Sequence, residues 1–130
     1  DALNLNNKIT EEFSTDELIP CAGQGIIAVQ SRDNDLEIRK LLEVINDNET
    51  RILANTEREV LKILEGDCDT AIGVFSNIKG DNINLVAELF SVDGKKRYFK
   101  KGMKDKSFAK HLSKEVGEIL KLKSKGSYKK

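Results

Sequence analysis

Apolar residues change their spacing several times along this chain, and each change predicts an element. Gly25-Ile26-Ile27-Ala28-Val29-Gln30 is a short run rich in β-branched residues, which predicts a buried strand. Over 35–46 the spacing turns helical: Ile38, Leu41, Leu42 and Ile45 fall at i, i+3, i+4 and i+7 and share one face. A second helix is predicted over 49–65, with Leu53, Val60, Leu61 and Leu64 on one side. Strands are predicted at 70–77, 83–90 and 95–101. In the middle one Ile83, Leu85, Ala87 and Leu89 alternate as a half-buried strand requires. Lys79-Gly80-Asp81-Asn82 and Asp93-Gly94 are the turn signals between them. A last helix is predicted over 105–121, with Phe108, Leu112, Val116, Ile119 and Leu120 on one face. Lys123 to Lys130 is a polar basic tail and is expected to fray.

Residues 1–17 are polar and mixed. Ser14 and Thr15 read as loop before Pro20, which bars regular helix there. From residue 48 onward the order is helix, three antiparallel strands, helix. That order implies an α+β fold with helices on one face of a small sheet. There is no internal repeat or low-complexity tract.

Length and composition narrow the class. A chain of 130 residues is one ordinary domain, or a small domain plus pieces of another. At 38% hydrophobic residues it can bury a core, although Trp is absent. No apolar run approaches the roughly 20 residues of a membrane span. No basic-then-apolar segment marks the chain for export, so a cytoplasmic location and no membrane partner are expected.

The net charge of zero hides an asymmetry. Residues 1–94 hold 8 basic and 19 acidic side chains, whereas 95–130 hold 14 basic and 3 acidic. A basic third could serve an anionic surface or nucleic acid. No stacking aromatics are interleaved, however, as single-strand binders need. The favoured expectation is a solvated face attracted to the acidic remainder, with no nucleic-acid partner.

Two cysteines, Cys21 and Cys68, lie 47 positions apart, without a C-x-x-C or a His at ligand spacing, so no metal is expected. A disulfide would need an oxidising compartment that nothing here indicates. Cys21 reads as a small core residue. Cys68 ends Leu64-Glu65-Gly66-Asp67-Cys68, where a helix gives way to the run from Thr70 to Phe75. A thiol at such a corner can be reached by a ligand, and Gly66 removes a side chain beside it. Glu65, Asp67 and Asp69 are acidic, and nearby negative charge raises a thiol pKa. That setting argues against a redox or protease nucleophile. Gly23-Gln24-Gly25, with Ala28, formally matches a dinucleotide fingerprint, but Pro20 before it and a β-rich run after it are the wrong context. His111 on the last helix has no triad or metal partner in sight and is expected to face solvent.

These segments together resemble the hydroxymethylbilane synthase (porphobilinogen deaminase) family. Leu64 to Cys68 is similar to its Leu-Glu-Gly-Gly-Cys segment. Leu18-Ile19-Pro20-Cys21-Ala22-Gly23-Gln24-Gly25 resembles its Leu-Pro-Ala-Val-Gly-Gln-Gly stretch. Thr56-Glu57-Arg58-Glu59-Val60-Leu61 resembles its Ala-Glu-Arg-Ala-Phe-Leu helix, and Ser91-Val92-Asp93-Gly94 its Pro-Asp-Gly turn. Two departures stand out: Asp67 replaces the second Gly, and Ala71 stands where a Pro is common.

The resemblance implies a transferase in tetrapyrrole biosynthesis that joins four porphobilinogen units with loss of ammonia. It implies that Cys68 carries a dipyrromethane cofactor through a thioether, as an anchor and not a turnover nucleophile. Gln24 would lie near the pyrrole chain. Glu57 and Arg58 are expected to make a structural hydrogen bond or ion pair at a domain contact. The fold implied is a C-terminal α+β domain over 49–130. Residues 1–48 would be a remnant of the first and second domains, with a return strand at about 19–32 and the helix over 35–46. By the same resemblance the catalytic Asp and the substrate-binding arginines would lie upstream; the chain itself has five arginines, none in a cluster. The chain alone is therefore expected to be inactive, and the missing domains could be a companion chain. The complete enzyme would be monomeric. The alternative from another class is a non-catalytic α+β interaction module, binding protein or nucleic acid through its basic third.

Overall fold

A computed structural model describes residues 3, 5–66 and 69–129. Among them, the predicted order after residue 48 is realised. Helices α1 (Leu36–Ile45) and α2 (Asn48–Leu64) lead into strands β1 (Ile72–Lys79), β2 (Asn82–Phe90) and β3 (Arg97–Asp105), followed by helix α3 (Ala109–Ser124). Short 3₁₀ turns occupy Asn6–Lys8 and Lys106–Phe108. The sheet is an antiparallel meander in the order β1-β2-β3.

Local chemistry sets the boundaries. Asp35 and Asp47 cap α1 and α2 by accepting from the backbone N–H of Ile38 and Thr50. At the far end of α2 the left-handed residue is Glu65, with φ 53°, and the Gly66 N–H reaches back to the Leu61 carbonyl. Thus a non-glycine residue makes the reversal, and Gly66 follows it. β1 and β2 turn over two residues, Gly80 and Asp81, because Lys79 pairs with Asn82.

The core lies between α2, α3 and one face of the sheet. Val60, Leu64, Val74, Ile83, Leu85, Ala87, Leu89, Leu112, Val116 and Leu120 are all buried there. The alternation along β2 is what aims Ile83, Leu85, Ala87 and Leu89 at the helices. The helices approach closely at Gly117, where a Cβ would come within 3.0 Å of the Ile63 side chain.

Four expectations need correction. No strand forms over 19–32: a strand needs a ladder of bonds to a partner, and the bond from the β1 edge, Val74 N–H to the Pro20 carbonyl, is too little to build one. Ile27 is 92% exposed, and α1 buries none of its residues. Cys21 is exposed, not core, because only Ile19 and Ala22 of its segment turn toward the domain. Phe108 is exposed, because α3 starts one residue later and the preceding 3₁₀ turn has a different period. Through Lys129 the tail packs on the domain, contrary to the expected fraying. Tyr128 is 4% exposed, and its hydroxyl donates to the Leu64 carbonyl at 2.8 Å. Ser127 bonds the Tyr98 hydroxyl, and its carbonyl accepts from Val92.

The charge asymmetry resolves into pairing across the fold. Lys121 and Lys129 engage Glu65, Lys106 engages Asp81, and Arg97 engages Glu88 at 2.8 Å. The exposed pairs at Glu65 and Asp81 contribute roughly 0–1 kcal/mol each, so they orient the helix and tail more than they stabilise them, whereas Glu88 is buried under Arg97. Among the described residues, no helix is long and apolar enough to cross a membrane.

Candidate functional site

The site is built around the corner between α2 and β1. α2 delivers Glu65 and Gly66, and β1 departs through Thr70 and Ala71. Asp67 and Cys68, the residues expected to matter most, lie outside the described residues. What flanks them is well defined. A Cβ on Gly66 would be in ordinary contact with the Thr70 side chain at 3.6 Å, so the two flanks of the corner lie against each other. Beside Gly66 lies a groove of about 850 Å³ between α2 and the start of α3. Arg58, Lys62 and Lys110 bring positive charge to its lining, with Glu59 as an acidic counterpart.

Glu65 is held by two lysines at this corner. Hydrogen bonds from Lys129 and then Lys121 hold its carboxyl below the ordinary glutamate range. A lowered folded-state pKa contributes stability above the unfolded value, which is lost as pH falls through the folded one. Acidification below the ordinary glutamate range should therefore loosen the Lys129 end of the tail before the core unfolds. An NMR titration following the Ser127 and Tyr128 signals checks this. Signals that stay fixed until global acid unfolding would show that the Tyr128 contact alone holds the tail.

The second part of the site is the turn carrying Gln24. Gly23 and Gly25 both take positive φ, 76° and 79°, and the turn closes through Gln24 N–H to the Cys21 carbonyl and Ile26 N–H to the Gly23 carbonyl. The Gln24 side chain is exposed. This turn is docked on the edge of β1. The Val74 N–H donates to the Pro20 carbonyl at 2.9 Å. The approach is close enough that a Cβ on Gly73 would sit 2.7 Å from the Ile19 carbonyl oxygen.

Glu57 turns out to be the polar centre of this arrangement. It is 5% exposed, and both carboxylate oxygens are used. Oε2 accepts from the Gly23 N–H at 2.7 Å. Oε1 accepts from the Ser76 N–H at 2.8 Å and the Ser76 hydroxyl at 2.9 Å. The expected structural hydrogen bond at Glu57 is present. Its neighbour Arg58 is exposed at the groove. The importance of Ser76 had no signal in the sequence, since its donors face a partner 19 positions away. His111 is exposed, as expected. Among the described residues, no cluster of His, Cys, Asp and Glu could hold a metal ion.

A three-stranded meander covered on one face by two helices defines an α+β domain. Residues 51–122 match the sequence model described as "Porphobilinogen deaminase, C-terminal domain", and the chain belongs to that family. A porphobilinogen deaminase of Exiguobacterium sibiricum is 45% identical over 87 residues, covering 66% of this chain and 28% of the relative. One from Nitrobacter hamburgensis is 38% identical over 96 residues, covering 74% and 30%. One from Chlorobaculum parvum is 32% identical over 121 residues, covering 91% and 39%. The chain thus spans well under half the length of these relatives.

Proposed function

We propose that this chain is the C-terminal part of a hydroxymethylbilane synthase, with Cys68 as the attachment point of a dipyrromethane cofactor. The observation that carries the reading is the family match over 51–122, which includes most of α2, the segment after it and the whole sheet. The thiol would be attached once, through a thioether to a pyrrole methylene, and would not turn over. When bound, the group supplies the pyrrole terminus to which four porphobilinogen units are added with loss of ammonia.

The residues around the corner suit such a group. Gly66 carries no side chain beside it, and Arg58, Lys62 and Lys110 give the adjoining groove cations for carboxylate substituents. Gln24, exposed on its turn, offers an amide that can donate and accept. The catalytic Asp and the substrate-binding arginines belong, in this reading, to the part of the relatives that this chain does not span. Of the arginines here, Arg97 is committed to Glu88 and Arg51 faces Glu43. The chain alone is accordingly inactive.

In the same reading residues 1–48 are the remnant of the preceding domains, and 49–130 the anchoring domain. The apolar side of α1, with Leu41 and Ile45 exposed, supports a missing cover supplied by those domains, in the same enzyme or as a companion chain. The complete enzyme acts as a cytoplasmic monomer. A nucleic-acid or protein-binding module is the weaker rival, because Lys106, Lys121, Lys129 and Arg97 of the basic third are paired within the fold.

Intact-mass measurement tests the anchor. Protein made together with the upstream domains should carry an added mass of two pyrrole units, and Cys68→Ala should lose it completely. An unmodified thiol in the unaltered protein would sink the reading.

A further inference from the structure

We propose that Glu57 is a positioning residue that hangs the Gln24 turn and both arms of the Cys68 corner on one carboxylate. The inference rests on the reading that Cys68 and Gln24 serve one site, and adds what sets the turn against the helix and strand that flank Cys68 in sequence.

The argument begins with strand edges. β1 lies at one edge of the sheet, so alternate N–H groups along it have no strand to pair with. Two of these donors are satisfied from outside the sheet. Val74 N–H goes to the Pro20 carbonyl, and Ser76 N–H goes to Glu57 Oε1. Glu57 stands on α2, the arm entering the corner, and Ser76 stands on β1, the arm leaving it. Their bond ties the two arms together at the base. The other oxygen of the same carboxylate takes the Gly23 N–H, 34 positions away, so the turn is tied to the same point.

Two of the three donors are backbone groups. The carboxylate therefore reads where the main chain lies, whatever side chains the turn carries. Charge-assisted bonds to a buried carboxylate are about twice as strong as neutral ones, and a buried carboxylate left unpaired is costly. The arrangement is satisfied only when helix, strand and turn are all in place. An amide at this position has one accepting oxygen and cannot serve both the turn and the strand.

Residue-resolved amide hydrogen exchange on this chain tests the proposal without reference to cofactor or activity. In the unaltered chain the Gly23 amide should be protected, although it lies in a surface turn. In Glu57→Gln, exchange at Gly23, Gln24 and Ile26 should rise about tenfold or more, the effect of losing one charge-assisted bond. Core amides of β2 and α3 should change by less than about threefold, since they open with the core and not with the turn. Ser76→Ala, which removes the hydroxyl but keeps both backbone bonds, should leave the turn within about threefold of the unaltered chain. Uniform acceleration in Glu57→Gln would make Glu57 an ordinary stabilising residue and overturn the proposal. So would an unprotected Gly23 in the unaltered chain, or a turn indifferent to Glu57→Gln. If Glu57→Gln fails to fold, the unaltered chain and Ser76→Ala still decide. A protected Gly23 would be expected, and open-chain exchange there would reject the proposal. Failure of cofactor attachment at Cys68 would sink the functional reading while leaving these exchange results as they stand.

Discussion

Leu112→Ala should lower the stability of the domain by about 2–5 kcal/mol, one of the two largest losses expected from a single change outside the corner. Leu112 is buried where α3 crosses the sheet, within the cluster that includes Val116, Leu85 and Ala87. Its Cδ1 lies only 2.7 Å from where a Cβ on Gly102 would be, so the side chain rests directly on the backbone of β3. The missing side chain on Gly102 and the large one on Leu112 are complementary. Truncation would leave a cavity that neighbouring side chains fill poorly, because β3 offers none at that point. Urea unfolding of the two chains measures the effect as a shift in midpoint at constant slope. A loss below about 1 kcal/mol would mean that α3 settles onto the sheet and closes the space.

Tyr128→Ala should be comparably damaging, at about 3–5 kcal/mol, the usual cost of removing a buried aromatic ring. The ring is part of the core cluster, and its hydroxyl occupies the Leu64 carbonyl at the end of α2. Tyr128→Phe separates the two contributions. It keeps the ring and should cost only about 0.5–1.5 kcal/mol, the net value of an ordinary hydrogen bond. The alanine variant should also expose the corner after Leu64, so proteolysis near residues 65–71 should accelerate more than cleavage within the sheet. Equal and small effects for both variants would show that the tail is only loosely seated.

The contrast between these two residues shows what could be read from the chain and what could not. Leu112 belongs to a helical pattern, and Ile83 to Leu89 to an alternating one. Period alone therefore placed them on the buried faces they occupy. Tyr128 has no period. It is a lone aromatic in a lysine-rich tail, held by a carbonyl 64 positions away, and only tertiary structure reveals that contact. Glu57 is similar: within its helix it reads as one half of a polar pair, and its donors come from two distant segments. The run from Gly25 to Gln30 failed in the opposite sense. Its composition favours a strand, but a strand's stability resides in its neighbours, and the described residues provide none. At the site, the Gln24 turn and the corner were legible as glycine-marked reversals. The left-handed residue nevertheless proved to be Glu65, since capping geometry depends on where the helix ends and not only on where glycine stands.

That failed strand has a consequence of its own. Ile26, Ile27, Ala28, Val29 and Gln30 form an uncharged, proline-free stretch with high β-propensity, the composition that stacks readily between molecules. Arg32 and Asp33 follow after Ser31 and act as charged gatekeepers on one side, whereas Gly25 on the other gives no such protection. The chain in isolation thus carries its own template for aggregation, and handling it at low concentration, or with that segment covered, preserves the folded domain behind it.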